Sequence, residues 1–181
     1  MAAEKKASPN VESRLRHNIL KMPQEVYAAS GIVINGRRLK SFVFTTDLAI
    51  IRNCDADAVF AVYPFTPQQA ISDAIIKASY IPVFCGVGGG LTNGVRSASM
   101  AAYVEHQGAY GVVCNSKIGV DTIRAIKEAV EIPVVYTVIS EKMDIEPYLV
   151  AGVDFVNVSG AARTPEIVAA LRTKYPELPI I

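Results

Sequence analysis

Three side chains stand where acid, base or amine chemistry is possible: Asp47, Lys117 and Glu141. Asp47 directly follows the apolar run Phe42 to Phe44. Partial desolvation there would raise a carboxyl toward the range of a general base. It also precedes Leu48, where an aspartate caps a helix, and one side chain can do both. Lys117 follows the run Tyr110 to Cys114, and Lys142 neighbours Glu141. A lysine so placed serves as an imine-forming amine or as a clamp for phosphate. The two histidines, His17 and His106, fall in helix-patterned stretches, so the reading contains no His-based triad and no metal site.

The stretch 85–93, CGVGGGLTN, is the most unusual loop. Gly86, Gly88, Gly89 and Gly90 let a ligand approach the backbone closely, and the next helix would offer free N–H groups to an anion. Its spacing is neither a Walker loop nor a Rossmann fingerprint. Cys85 reads as a buried small hydrophobe or as a thiolate. Asn115 and Asn157 could orient a substrate, and Arg163 could meet its negative charge. Thr45, Thr46, Tyr63 and Ser159 complete the candidate binding set.

One repeating plan would gather these residues. Apolar runs begin at Ser41, Asp57, Ile81, Ala109, Ile132, Asp154 and Leu178, with helix-patterned segments between them. Continuously apolar strands alternating with helices predict an α/β fold with a parallel sheet buried on both faces. Repeated this often, the unit predicts a (βα)8 TIM barrel, with chemistry at the carboxyl ends of its strands. Thr66-Pro67 and Thr164-Pro165 read as helix starts, and Gly108 and Gly152 as helix ends.

Ahead of the barrel, Asn35-Gly36 between apolar runs predicts a β-hairpin. Val11, Leu15, Ile19 and Leu20 suit a helix from Val11 to Met22 that would plug the barrel's amino end. Residues 1–10 are expected to be disordered, and 11–181 to form a single barrel domain.

The 181 residues are few for a barrel, which typically takes about 250. Ile180 and Ile181 fall inside an apolar strand, so an eighth unit beyond them is expected. Hydrophobic residues make up 51% of the chain without a run long enough to span a membrane, and the amino terminus has no secretory pattern. Three dispersed cysteines suit a reducing, cytoplasmic setting. Residues 1–40 hold eight Lys/Arg against three Glu, although the whole chain carries only +1. That segment is either a solvated surface or a contact for RNA or an acidic partner.

The stretches 42–53 (FVFTTDLAIIRN), 61–67 (AVYPFTP) and 81–90 (IPVFCGVGGG) resemble bacterial aldolase-type barrel proteins that carry a hydrolase label. That resemblance runs from about Val11 onward and implies a barrel and an enzyme. More distantly, 152–160 (GVDFVNVSG) through 178–181 (LPII) is similar to phosphate-binding barrels, among them the keto-deoxy-phosphogluconate aldolases and the glycerol-responsive antiterminators. The aldolases place an imine-forming lysine where this chain has Asn157, which argues against their chemistry here. With the polar residues gathered past the strand ends, the expectation is an enzyme for a small anionic or phosphorylated metabolite, in a chain that could form homo-oligomers. Also open are a phosphometabolite sensor contacting RNA or protein, and an FMN-binding oxidoreductase. The enzyme reading needs no cofactor.

Overall fold

The structure, a computed structural model, describes residues 7–13 and 18–181. An antiparallel hairpin, β1 (Ile32–Ile34) and β2 (Arg37–Leu39), leads into the barrel. Asn35 and Gly36 both take positive φ, 49° and 77°, as a two-residue hairpin turn of this twist requires.

Six parallel strands follow: β3 (Phe42–Phe44), β4 (Ala58–Ala61), β5 (Val83–Gly88), β6 (Gly111–Cys114), β7 (Val134–Val138) and β8 (Phe155–Val158). They pair in sequence order to form one sheet. Between them run α1 (Leu48–Arg52), α2 (Gln69–Ala78), α3 (Val95–His106), α4 (Val120–Ala129) and α5 (Glu146–Val150), and α6 (Thr164–Lys174) follows β8. Residues 178–181 extend the sheet beyond β8. Val156 N–H donates to the Pro179 carbonyl at 3.1 Å, and Val158 N–H to that of Ile181 at 2.9 Å.

Alternation along each strand divides the side chains between two cores. Val59, Cys85, Val112, Val134, Tyr136 and Val156 point outward into a layer shared with the helices. Ala58, Phe60, Phe84, Val113, Val135 and Phe155 point inward. The rings of Phe84 and Phe155 lie 6.1 Å apart although their strands are three positions apart in the sheet. A flat sheet would separate those strands by about 14 Å. The sheet is therefore strongly curled, into the arc of a (βα) barrel.

Ile34 and Leu39 of the hairpin join the inner cluster, so the hairpin packs into the barrel's amino end. Of the expected leading helix, residues 14–17 lie outside the described residues, and the described residues on either side are not helical. Leu20 instead runs parallel to the end of the first βα unit. Its N–H donates to Asn53 O at 2.8 Å, and its carbonyl accepts from Asp55 N at 3.1 Å.

Carboxylates stitch this amino end together. Asp57 Oδ2 accepts from the amides of Lys40 (2.8 Å) and Ser41 (3.0 Å). Asp154 Oδ2 accepts from the Val134 amide at 2.8 Å, and Glu105 Oε1 from those of Glu131 and Ile132. Asp55 Oδ1 accepts from the Met22 amide at 2.7 Å.

Candidate functional site

At the opposite, carboxyl end of the strands lies an open cleft of about 490 Å³. That volume suits a small metabolite. Inward alternation puts Val62, Gly86, Val113, Thr137 and Asn157 at its base, directly above the phenylalanine core. Tyr63, Lys117 and Ser159 come from the loops above, and the 88–92 turn closes one side.

Packing accounts for two glycines of that turn and backbone conformation for a third. At Gly88 a Cβ would lie 2.1 Å from Ser97 Oγ and 2.6 Å from the Thr92 carbonyl. At Gly89 it would lie 2.4 Å from Asn115 Cβ. Gly90 faces open space, and its φ of 75° is the left-handed conformation that favours glycine. The turn is held by Gly89 N–H donating to Thr92 O and by Asn115 N–H donating to Gly88 O, both at 2.9 Å.

Among the described residues Lys117 is the only one with a charged side chain in the lining, and none of them brings a carboxylate there. Its ammonium makes no ion pair among the described residues. Uncharged polar groups share the lining with it. Asn157, only 7% exposed, donates to Thr137 Oγ1 over a long 3.5 Å. Buried amides ordinarily find better partners, so its remaining capacity is directed to the cleft. Tyr63 Oη accepts the Gln68 amide at 2.8 Å, which leaves the phenol proton free to be donated.

Of the residues singled out from sequence, the cleft gathers Tyr63, Gly86, Gly88, Gly89, Gly90, Asn115, Lys117, Asn157 and Ser159. The others lie off its lining. Asp47 is exposed and caps α1, with Oδ1 accepting from the amides of Ala49 (2.7 Å) and Ile50 (3.3 Å). Thr45 Oγ1 accepts the Asp47 amide at 3.0 Å, and Thr46 is exposed. Glu141 pairs with Arg163, which also meets Glu166 at 3.4 Å. A hydrogen bond from its own backbone, then the Arg163 guanidinium, hold the Glu141 carboxyl below the ordinary range.

Cys85 points away from the cleft into the sheet–helix layer, where burial pushes its thiol up to about 12 against a smaller opposing effect of the Ser72 hydroxyl. Among the described residues no group of three His, Cys, Asp or Glu is placed to hold a metal ion. Thr137 and Val62 were missed by reading only the residues past each strand. Thr137 was signalled as the one polar residue at inward parity within an apolar strand.

No family model matches this chain, and no curated protein matches it. Solved structures do share its fold. Phosphonopyruvate hydrolase in complex with oxalate and Mg++ superposes with a TM-score of 0.63 at 14% identity, over 79% of this chain and 66% of that one. CdNal from Clostridium difficile, in complex with mannosamine, gives 0.55 at 13% identity, over 68% and 50%. KD(P)GA from T.tenax gives 0.52 at 17%, over 70% and 50%. The chain thus spans half to two thirds of the length of these structures, and identities this low show a common fold.

Proposed function

We propose that this chain forms the active-site barrel of an enzyme acting on a small anionic metabolite, carboxylated or phosphorylated. The observation that carries the reading is Lys117, among the described residues the one charged side chain in a cleft otherwise lined by hydroxyl, amide, glycine and apolar groups. Lys117 is itself exposed, so its ammonium is free to meet an anion entering the cleft, where charge-assisted hydrogen bonds add to the attraction. Asn157, Thr137 and Ser159 would orient the uncharged part of the substrate, and Asn115 would fix the loop that carries the lysine.

The chemistry this set can perform is bond cleavage beside a carbonyl, of hydrolase or lyase type. Lys117 would stabilise the oxygen on which negative charge develops. Tyr63, with its proton unassigned within the protein, would donate to the departing or developing oxyanion. Asp47 and Glu141, each engaged with its own partner, shape the rim in this reading. A phosphonopyruvate hydrolase is among the structures that share the fold, which supports the hydrolytic form of this reading.

Thermal-shift screening against small carboxylates and phosphates, each paired with a neutral analogue, tests the reading. A ligand that binds only the folded chain raises its apparent stability. Anions should raise the melting temperature of the wild type and leave Lys117→Met unmoved. Equal shifts from neutral analogues, or no shift at millimolar concentrations, would overturn it.

A second reading is a sensor that binds the same anion without converting it, favoured by a lining to which the described residues bring no carboxylate. Incubating the ligand found by screening with the protein separates the two, because an enzyme consumes it. An absorbance spectrum addresses the FMN alternative, which requires a yellow protein.

A further inference from the structure

Lys117 sits between two carbonyls that are each held by a tyrosine. Tyr136, on β7, points outward from the barrel, and its hydroxyl donates to Ser116 O at 3.0 Å. Tyr148, on α5, donates to Ile118 O at 3.0 Å. The two rings stack on each other, 4.1 Å between centroids and 13° between planes. Tyr136 is 1% exposed and Ile118 likewise, so this side of the loop is anchored in the sheet–helix core. On the cleft side, Asn115 Oδ1 accepts the Lys117 amide at 3.2 Å and Asn115 O accepts the Ile118 amide at 3.0 Å.

We propose that Tyr136 and Tyr148 are positioning residues that aim Lys117 into the cleft by clamping the carbonyls on either side of it. The inference rests on the anion-binding role given to Lys117 above. A lysine stem has four rotatable carbons and loses considerable freedom when it is held in one place. Fixing its backbone on both flanks limits the volume its ammonium explores, and a preorganised charge binds an anion better than a roaming one. Burial, and then the Tyr148 contact, push the Tyr136 phenol up, so it remains a donor throughout the physiological range. Neither tyrosine lines the cleft, so neither is a catalytic residue.

The test uses the whole chain, with inorganic phosphate as the probe. Tyr136→Phe, Tyr148→Phe and the double variant keep the stacked rings and remove only the hydroxyls; Lys117→Met is the control. Phosphate affinity by calorimetry should fall about three-fold in each single variant and about ten-fold in the double, the scale of one and two net hydrogen bonds. In protein labelled with 13C at lysine Cε, the Lys117 signal should narrow in the double variant while that of Lys127 stays unchanged. A purely structural role would lower the melting temperature without that selective narrowing.

Unchanged affinity and unchanged Lys117 linewidth in folded single variants would overturn the clamp. Should Tyr136→Phe fail to fold, Tyr148→Phe, at the more exposed site, decides by the same two readings. If Lys117→Met binds phosphate as well as the wild type, the anion-binding reading fails. The linewidth comparison then still judges whether the tyrosines order Lys117.

Discussion

Gly89 backs directly onto Asn115: a Cβ built at residue 89 would lie 2.4 Å from Asn115 Cβ and 3.2 Å from Asn115 N. The glycine-rich turn and the loop carrying Lys117 are thus packed on each other. Gly89→Ala must push the two apart, at a cost of about 1–3 kcal/mol, the range of overpacked sites. Gly90→Ala meets no atom and carries only the left-handed backbone penalty of about 1–2 kcal/mol. Phosphate titration and denaturant melts of both variants should show weakened binding for Gly89→Ala, with near wild-type binding for Gly90→Ala.

Asp47 accepts two amides at the start of a helix of five residues. Asp47→Ala should lower stability by about 1 kcal/mol, as loss of a helix cap does, and Asp47→Asn should be nearly neutral because asparagine caps as well. Phosphate affinity should be unchanged in both. A ten-fold loss of binding or turnover in folded Asp47→Asn would return this carboxylate to the reaction.

The thiols of Cys85 and Cys114 should be inert in the folded state. Both are buried, and burial pushes each up to about 12 from an ordinary 9.0. The thiolate is the reactive species, so a disulfide reagent at pH 8 should reach these thiols only on unfolding. The folded state holds these protons more tightly than the unfolded one. Stability from keeping the thiols neutral is therefore complete below pH 9 and declines as pH rises toward 12. Replacing both cysteines with alanine should flatten that alkaline decline, measured by urea melts across the interval.

The outer edge of β3 pairs with no strand among the described residues. A cavity of about 730 Å³ separates it from residues 178–181, lined by apolar side chains such as Leu39, Phe42 and Ile180. Unpaired apolar edges template association. We expect the 181-residue polypeptide to self-associate, and Phe44→Lys, which puts a charge on that edge, to shift it toward monomer. Sedimentation velocity over a concentration series measures this, and a monodisperse monomer of the unaltered chain would contradict it.

The strands were legible because parallel strands buried on both faces read as unbroken apolar runs. Val83 to Cys85 and Val134 to Val135 needed no partner to be recognised. Asn35-Gly36 announced its turn through local chemistry alone. Long-range pairing was invisible. Leu20 has the spacing of an amphipathic helix, yet its amide and carbonyl bond to residues 53 and 55. Thr66-Pro67 looks like a helix start, but α2 begins at Gln69, after Tyr63 Oη has taken the Gln68 amide.

The same limit applied at the cleft. Spacing placed Lys117 and Asn115 correctly past the end of a strand. It could not show that Arg163 reaches back to Glu141, 22 residues away, or that Cys85 faces outward by parity. Counting alternate residues back from each strand end would have found Thr137.

The carboxylate stitches at the amino end make the molecule asymmetric in its tolerance of change. Asp57 and Asp154 each hold the backbone of the neighbouring strand near its start, and Glu105 secures the turn before β7. Those fastenings make no use of the loops on the far side. Segments such as 64–68 or 139–144 can therefore be lengthened, shortened or exchanged while the register of the strands beneath them is kept. New specificities could be grafted onto this chain by recombining one rim against a fixed base.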